Sequence, residues 1–139
     1  MKAYEYLDHT GDLGLRVRGK TLEELFTNAA KGLFETIAVL DTIDSVTQVK
    51  INVEAESLAD LMVVWLDELI FKHEVGEIFF KHVDILELSE TQLAAVAYGE
   101  RADFTKHVVY TEVKSVTYHQ LFVQQASAGD WIAQVIFDL

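Results

Sequence analysis

Apolar and polar residues alternate from Leu13 to Arg18: Leu13, Leu15 and Val17 interleave with Gly14, Arg16 and Arg18. That is the period of a strand with one face in water. A shorter, mixed segment, Lys2 to Leu7, precedes it and reads as a further strand, with the turn-forming cluster Asp8-His9-Thr10-Gly11-Asp12 between them. The period then changes. Leu22, Leu25, Phe26, Ala29, Leu33, Phe34 and Ile37 follow at helical spacing, behind a capping box of Thr21 and Glu24. This predicts an amphipathic helix from Thr21 to about Ala38. Gly32 inside it costs about 1 kcal/mol against Ala, which the packing of the apolar stripe should outweigh.

Asp41 to Ser45 reads as a loop and Val46 to Val53 as another alternating strand. Ser57 and Asp60 open a second helix, with Leu58, Leu61, Met62, Trp65, Leu69 and Ile70 along one side; it should stop near His73, ahead of Gly76. The rest is strand-like. Ile78–Leu88 and Gln92–Tyr98 predict a hairpin across Ser89-Glu90-Thr91. Ser115–Gln124 and Trp131–Phe137 predict another, turning at Ser127 to Asp130. Two helices among strands, without regular β-α-β alternation, imply an α+β fold: two amphipathic helices packed on largely antiparallel sheet. With no linker, repeat or low-complexity tract, residues 1–139 are expected to form a single domain.

Composition narrows the chemistry. The chain has no cysteine, which removes thiolate nucleophiles, disulfides and sulfur-based zinc sites. It has 11 Lys and Arg against 23 Asp and Glu, a net charge of −12. Such a surface repels phosphate backbones, so direct, tight nucleic-acid binding is not expected; cations and basic protein surfaces are the natural partners. No run approaches a membrane span, and the acids near the start leave no signal-peptide pattern. The expectation is a soluble, cytoplasmic protein. Phosphate loops, dinucleotide-binding glycine motifs, G-x-S-x-G and H-E-x-x-H are all missing from the sequence.

Asp12 and Asp138 stand out by context. Each alone is bland, since an Asp in a glycine-bearing turn is usually a local cap and a penultimate Asp is usually solvated. However, the apolar residues Trp131, Ile132, Val135, Ile136 and Phe137 lead straight to Asp138, and a buried strand delivers its last residues to a fixed place. If the Asp12 turn lies beside that end, the carboxylates of Asp12, Asp138 and the Leu139 terminus converge. Two such charges about 4 to 5 Å apart repel by about 3 to 4 kcal/mol at an effective dielectric of 20. A cation would reverse that, and all-oxygen donors favour Ca²⁺, Mg²⁺ or Mn²⁺. His9 with Asp12 forms H-x-x-D, and His119 would share a strand face with Thr117. Either histidine could be a base or ligand, though a structural or solvated role is the commoner one. Lys114 is by default solvated, and His73, His82 and His107 show no partner pattern.

Several of these segments together resemble the archease family. Asp8–Val17 (DHTGDLGLRV) is similar to its D/E-H-T-A-D opening, and Thr21–Phe26 to the start of its first helix. Leu61–Leu69 resembles its second helix, Ala97–Glu100 (AYGE) the loop after it, Lys114–His119 its K-x-x-T-Y-H strand, and Trp131–Leu139 its close. Gly11 stands where the family usually has Ala. The resemblance implies a metal site at Asp12, Asp138 and Leu139. It also implies a non-enzymatic accessory role toward an RtcB-type RNA ligase in tRNA splicing or RNA repair. Such a helper promotes guanylylation and multiple turnover and broadens nucleotide use. The alternatives are a metal-dependent phosphoester hydrolase using Asp12, His9 and His119, or a chaperone-like interaction module.

The charge balance makes a direct prediction. Bare RNA should not bind this protein at physiological salt, because neutralising phosphates needs a basic or stacking surface. Sub-micromolar, salt-sensitive binding of a tRNA fragment in a filter or anisotropy assay would contradict it.

Overall fold

The computed structural model describes residues 2–9 and 11–139, and for Asp8 and His9 the main chain alone. The described residues form two helices and seven strands in two antiparallel sheets, an α+β arrangement. Strands β1 (Tyr4–His9), β2 (Asp12–Gly19), β6 (Ser115–Gln125) and β7 (Trp131–Asp138) make one sheet, in the order β1-β2-β7-β6. Strands β3 (Thr47–Glu54), β4 (Ile78–Leu88) and β5 (Gln92–Arg101) make the other, in the order β3-β5-β4. The first sheet is therefore built from the outer parts of the chain and the second from its middle.

The helices fill the space between. Helix α1 (Leu22–Ile37) starts at Thr21, whose hydroxyl accepts the Glu24 N–H at 3.1 Å. Glu24 reaches back as the pattern predicts, to the Lys20 N–H at 3.3 Å. Helix α2 (Leu58–Gly76) is capped in the same way by Ser57, which accepts the Asp60 N–H at 3.2 Å. It continues past His73 to Gly76 and ends with Glu77 in the left-handed region, φ 52°. Gly76 is thus the last helical residue, and the expected stop at His73 is too early. α2 is also less one-sided than the sequence suggests: Val63 and Leu66 are buried along with Leu61, Met62, Trp65, Leu69 and Ile70. The reason is that it packs on strands of both sheets and on α1. The buried Trp65 indole donates to the Phe26 carbonyl at 3.0 Å, fixing the two helices to each other.

Pairing of β1 with β2 runs on to His9 opposite Asp12, so the connection is shorter than the five-residue cluster expected from sequence. Gly11 in that connection has φ +75°, a left-handed conformation that glycine adopts without the steric cost an alanine would meet. AYGE lies inside β5 rather than in a loop, because β5 stays paired to Arg101. The second predicted hairpin forms, with Gly129 at φ +96° in its turn and Asp138 included in β7. Its partner β6 is irregular, though: pairing jumps from Thr117 opposite Ile136 to Phe122 opposite Gln134.

Gly99 shows how tightly the smaller sheet is built. A Cβ there would overlap the Phe79 carbonyl and stand 2.8 Å from Phe80 Cα. Backbone cannot yield as a flexible side chain does, so Gly99→Ala is expected to cost about 2 kcal/mol or more. The check is the urea midpoint; a change below about 0.5 kcal/mol, the size of an ordinary surface substitution, would refute it.

Candidate functional site

The β2–β7 register settles where the two singled-out acids stand. Asp12 is the direct cross-strand partner of Asp138, and the pairing continues as Leu13↔Phe137, Gly14↔Ile136 and Leu15↔Val135. Directly opposed residues point to the same side of a sheet with Cβ atoms about 4.5 to 5.5 Å apart. Leu15, Val17, Ala133, Val135 and Phe137 belong to the buried core. By alternation Asp12 and Asp138 therefore lie on the other face, away from the helices. Asp138 also pairs with Ser115 on β6, and Asp12 with His9 on β1. One row thus crosses all four strands: His9, Asp12, Asp138, Ser115. The His9 side chain lies outside the described residues, so its expected pairing with Asp12 has only the main-chain register behind it.

Several contacts fix the end of β7. The Lys114 N–H donates to the Asp138 carbonyl at 2.8 Å, and the Val116 N–H to the Asp67 carboxylate of α2 at 2.9 Å. Burial raises the Asp67 carboxyl above its ordinary range, while the Val116 hydrogen bond works against that. Leu139 is half-buried and its side chain packs against the core, which restrains the residue that follows Asp138. Toward the middle of the sheet the floor is close-packed: a Cβ on Gly14 would stand 2.9 Å from Leu7 Cβ and 3.3 Å from Ile136 Cδ1.

The nearest cation on this face is committed elsewhere. The Arg16 guanidinium donates to Gln134 Oε1 at 2.6 Å, and Gln134 Nε2 donates to the Gln120 carbonyl at 3.1 Å. Among the described residues, no Lys or Arg forms an ion pair with Asp12 or Asp138. Nor do three His, Cys, Asp or Glu side chains converge there as a metal cluster. Asp12 and Asp138 place two carboxylate side chains in direct register. An all-oxygen donor set of this kind suits a hard divalent cation.

His119 is exposed and falls in the stretch where β6 leaves register with β7, so the expected Thr117–His119 strand face does not form there. Its N–H donates to the Thr117 hydroxyl at 3.3 Å. Lys114 acts through its main chain in the contact above. Ser115, beside Asp138, was missed because only the strand pairing reveals it. An open hollow of about 540 Å³ between α2 and Lys114–Ser115, walled by Asp67, Phe71 and Glu74, adjoins that residue.

A second polar cluster also escaped the sequence reading, since a loop folding back on β5 and the distant Asp44 bring its members together. Lys106 Nζ sits 2.7 Å from Asp44 Oδ2 and 2.8 Å from Glu100 Oε2. The buried His107 ring accepts the Asp103 N–H at Nδ1, 3.0 Å away, which leaves the proton on Nε2, 2.8 Å from Glu100 Oε1. Hydrogen bonds from Lys106, then His107 and the Asp44 N–H hold the Glu100 carboxyl down at about 2.

The chain also has clear relatives. A profile described as the Archease protein family (MTH1598/TM1083) matches residues 4–139. Protein archease of Methanopyrus kandleri is 37% identical over 98% of this chain and 99% of its own length. Protein archease of Pyrococcus abyssi is 34% identical, with all of both chains covered. Among solved structures, the solution structure of Methanobacterium thermoautotrophicum protein 1598 superimposes with a TM-score of 0.82, 33% identity and full coverage of both chains. A crystal structure from Thermotoga maritima, described as an archease and possible chaperone, gives 0.69 at 21% identity over 96% of this chain and 94% of its own. At that identity it speaks for the fold alone.

The Glu100 cluster carries a pH prediction. A carboxyl held below its ordinary 4.5 in the folded state stabilises fully above that value. The contribution is lost as pH falls through about 2. The denaturation midpoint should fall across this window, and Glu100→Gln should flatten part of the slope. An identical acid profile for the two proteins would show that the cluster contributes nothing to stability.

Proposed function

Because this chain belongs to the archease family, we propose that it is a metal-binding accessory protein that activates an RtcB-type RNA ligase in tRNA splicing or RNA repair, promoting guanylylation and multiple turnover. The observation that carries the reading is the Asp12–Asp138 cross-strand pair. Two carboxylates held opposite each other, with Leu139 next in the chain and no cationic side chain among the described residues to neutralise them, make an arrangement that a divalent cation stabilises. Asp12, Asp138 and the Leu139 carboxylate would hold the ion, which would be Ca²⁺, Mg²⁺ or Mn²⁺. It would supply positive charge beside the two carboxylates, where nucleotide or ligase groups are negative.

The contribution of the chain's own residues is to fix this set. β2–β7 pairing sets the separation of the two side chains, and the Lys114 and Asp67 hydrogen bonds steady the strand ends. The hydrolase alternative is less well supported, because no second metal set is available among the described residues. A chaperone-like module, the wording attached to the Thermotoga maritima protein, would not require a carboxylate pair at this position.

Two measurements test the reading. In calorimetry with Ca²⁺ and Mn²⁺, Asp12→Asn, removal of Leu139 or a tag placed after it should weaken binding, while an N-terminal tag should not. Equal affinity of all forms would remove Leu139 and Asp12 from the site. In ligation assays at limiting GTP and Mn²⁺, substoichiometric wild-type protein should raise product beyond one equivalent of ligase. Asp12→Ala and Asp138→Ala should abolish that gain, and Glu90→Ala, an exposed turn acid, should keep it. If Glu90→Ala did equal damage, bulk charge rather than a bound ion would be responsible. No stimulation by the wild type would overturn the proposal.

A further inference from the structure

Between β5 and β6, residues 102–114 carry a cluster of apolar side chains in water. Phe104 is 77% exposed and Tyr110 67%, with Val108 and Val109 between them also exposed. Single exposed apolar residues need no explanation, but a contiguous group marks an interaction site. This segment is not a slack loop. Asp103 Oδ1 accepts both the N–H and the hydroxyl of Thr105, and the Asp103 carbonyl accepts the N–H groups of Lys106 and His107. The buried His107 ring and the Lys106 ammonium tie it down to Glu100 and Asp44. Further on, the Val39 N–H donates to the Val108 carbonyl and the Tyr110 N–H to the Ile37 carbonyl, clamping the segment to the end of α1. The apolar side chains therefore stand out from a backbone already fixed by internal hydrogen bonds. Pre-ordering of this kind lowers the entropy lost on association.

Charge selects the occupant. Beside Tyr110 lies a hollow of about 220 Å³ with Ala38, Val39 and Leu40 as apolar wall and Glu35 and Asp41 as its carboxylates. A Lys or Arg side chain matches that lining, with its stem on the wall, its charge at the acids and the Tyr110 ring available to the cation. A second copy of this chain would instead bring one surface of net charge −12 against another. The segment also ends at Lys114, whose N–H bonds the Asp138 carbonyl, so it is continuous with the candidate cation row.

We propose that the 102–114 segment is the surface that docks the protein on its ligase, with Phe104 and Tyr110 entering an apolar depression whose rim carries Lys or Arg. This rests on the function proposed above and adds the docking surface to it. The test uses the intact protein, with and without Mn²⁺, and the purified cognate ligase. The variants are Phe104→Ser with Tyr110→Ser, and separately Asp41→Lys, an exposed position whose exchange leaves the core untouched. Each is expected to raise the Kd for the ligase at least about tenfold, with full stimulation restored at excess protein. Asp12→Ala, in contrast, should stay inactive at saturation. Wild-type affinity in both loop variants would overturn the docking proposal while leaving the functional reading intact. So would a wild-type dimer that the loop variants dissociate with ligase affinity unchanged. A wild type that neither binds nor stimulates the ligase would remove both.

Discussion

Pairing of β2 with β7 is the constraint on which the rest of the structure depends. It joins residues 12–19 to residues 131–138 in the centre of the larger sheet, so each outer hairpin is completed by the other. Its register is enforced by burial. Leu15, Val17, Ala133, Val135 and Phe137 must all face the helices, and a slip of one residue on either strand would turn that strand's set into water. Each such side chain contributes about 1.5 to 3 kcal/mol when fully buried if it is Val, Leu or Phe. A slip is correspondingly prohibitive. The separation of Asp12 from Asp138 is thus determined by the core on the opposite face, without any contact between the acids.

That inheritance has an electrostatic consequence. Like charges set directly opposite on neighbouring strands destabilise a sheet, and water screens but does not remove the effect at half-exposed positions. Arg16, two positions beyond Gly14 on the same face, binds its guanidinium to Gln134 and not to the acids. An internal salt bridge would satisfy the acids permanently. Leaving them without one would keep the pair responsive to an external cation, the property the proposed metal site requires.

Helices, strands and caps were readable from sequence because each depends on neighbours a few residues away. Thr21 and Ser57 sit three positions before the amides they cap, and the β-hairpin from Ile78 to Arg101 closes over a short turn. Misreadings arose where other parts of the chain decide. α2 outlasts His73 because it closes on the left-handed Glu77, whose N–H reaches the His73 carbonyl while the His73 ring meets the Ile78 carbonyl of the next strand; β5 continues through AYGE because β4 is there to pair with it. The β6 irregularity after Thr117 has no signature in an alternating pattern, so His119 was placed on a face that does not form. At the site, Asp12 and Asp138 could be singled out by type and context, and family resemblance supplied their juxtaposition. Ser115 needed the β6–β7 pairing, and the Glu100–Lys106–His107 cluster needed the turn that folds Lys106 and His107 back on Glu100 and the approach of the distant Asp44.

The physical organisation separates two tasks that a helper protein on a larger enzyme would have to perform. Recognition needs a surface that loses little entropy when it binds, and the tied segment from Ala102 to Lys114 has its backbone and its one buried histidine already committed. Modulation would fall to the carboxylates on the far face of the β2–β7 pair, if they hold the proposed ion. The two meet where the Lys114 N–H donates to the Asp138 carbonyl and Asp67 holds the next turn of chain from α2. A load on the docking segment would be transmitted to the end of β7 through short main-chain hydrogen bonds, whereas long surface side chains would absorb it. If both proposals hold, affinity and stimulation should be separable by mutation within each region and coupled through substitutions at Asp67, which holds the strand that connects the proposed docking surface to the proposed ion site.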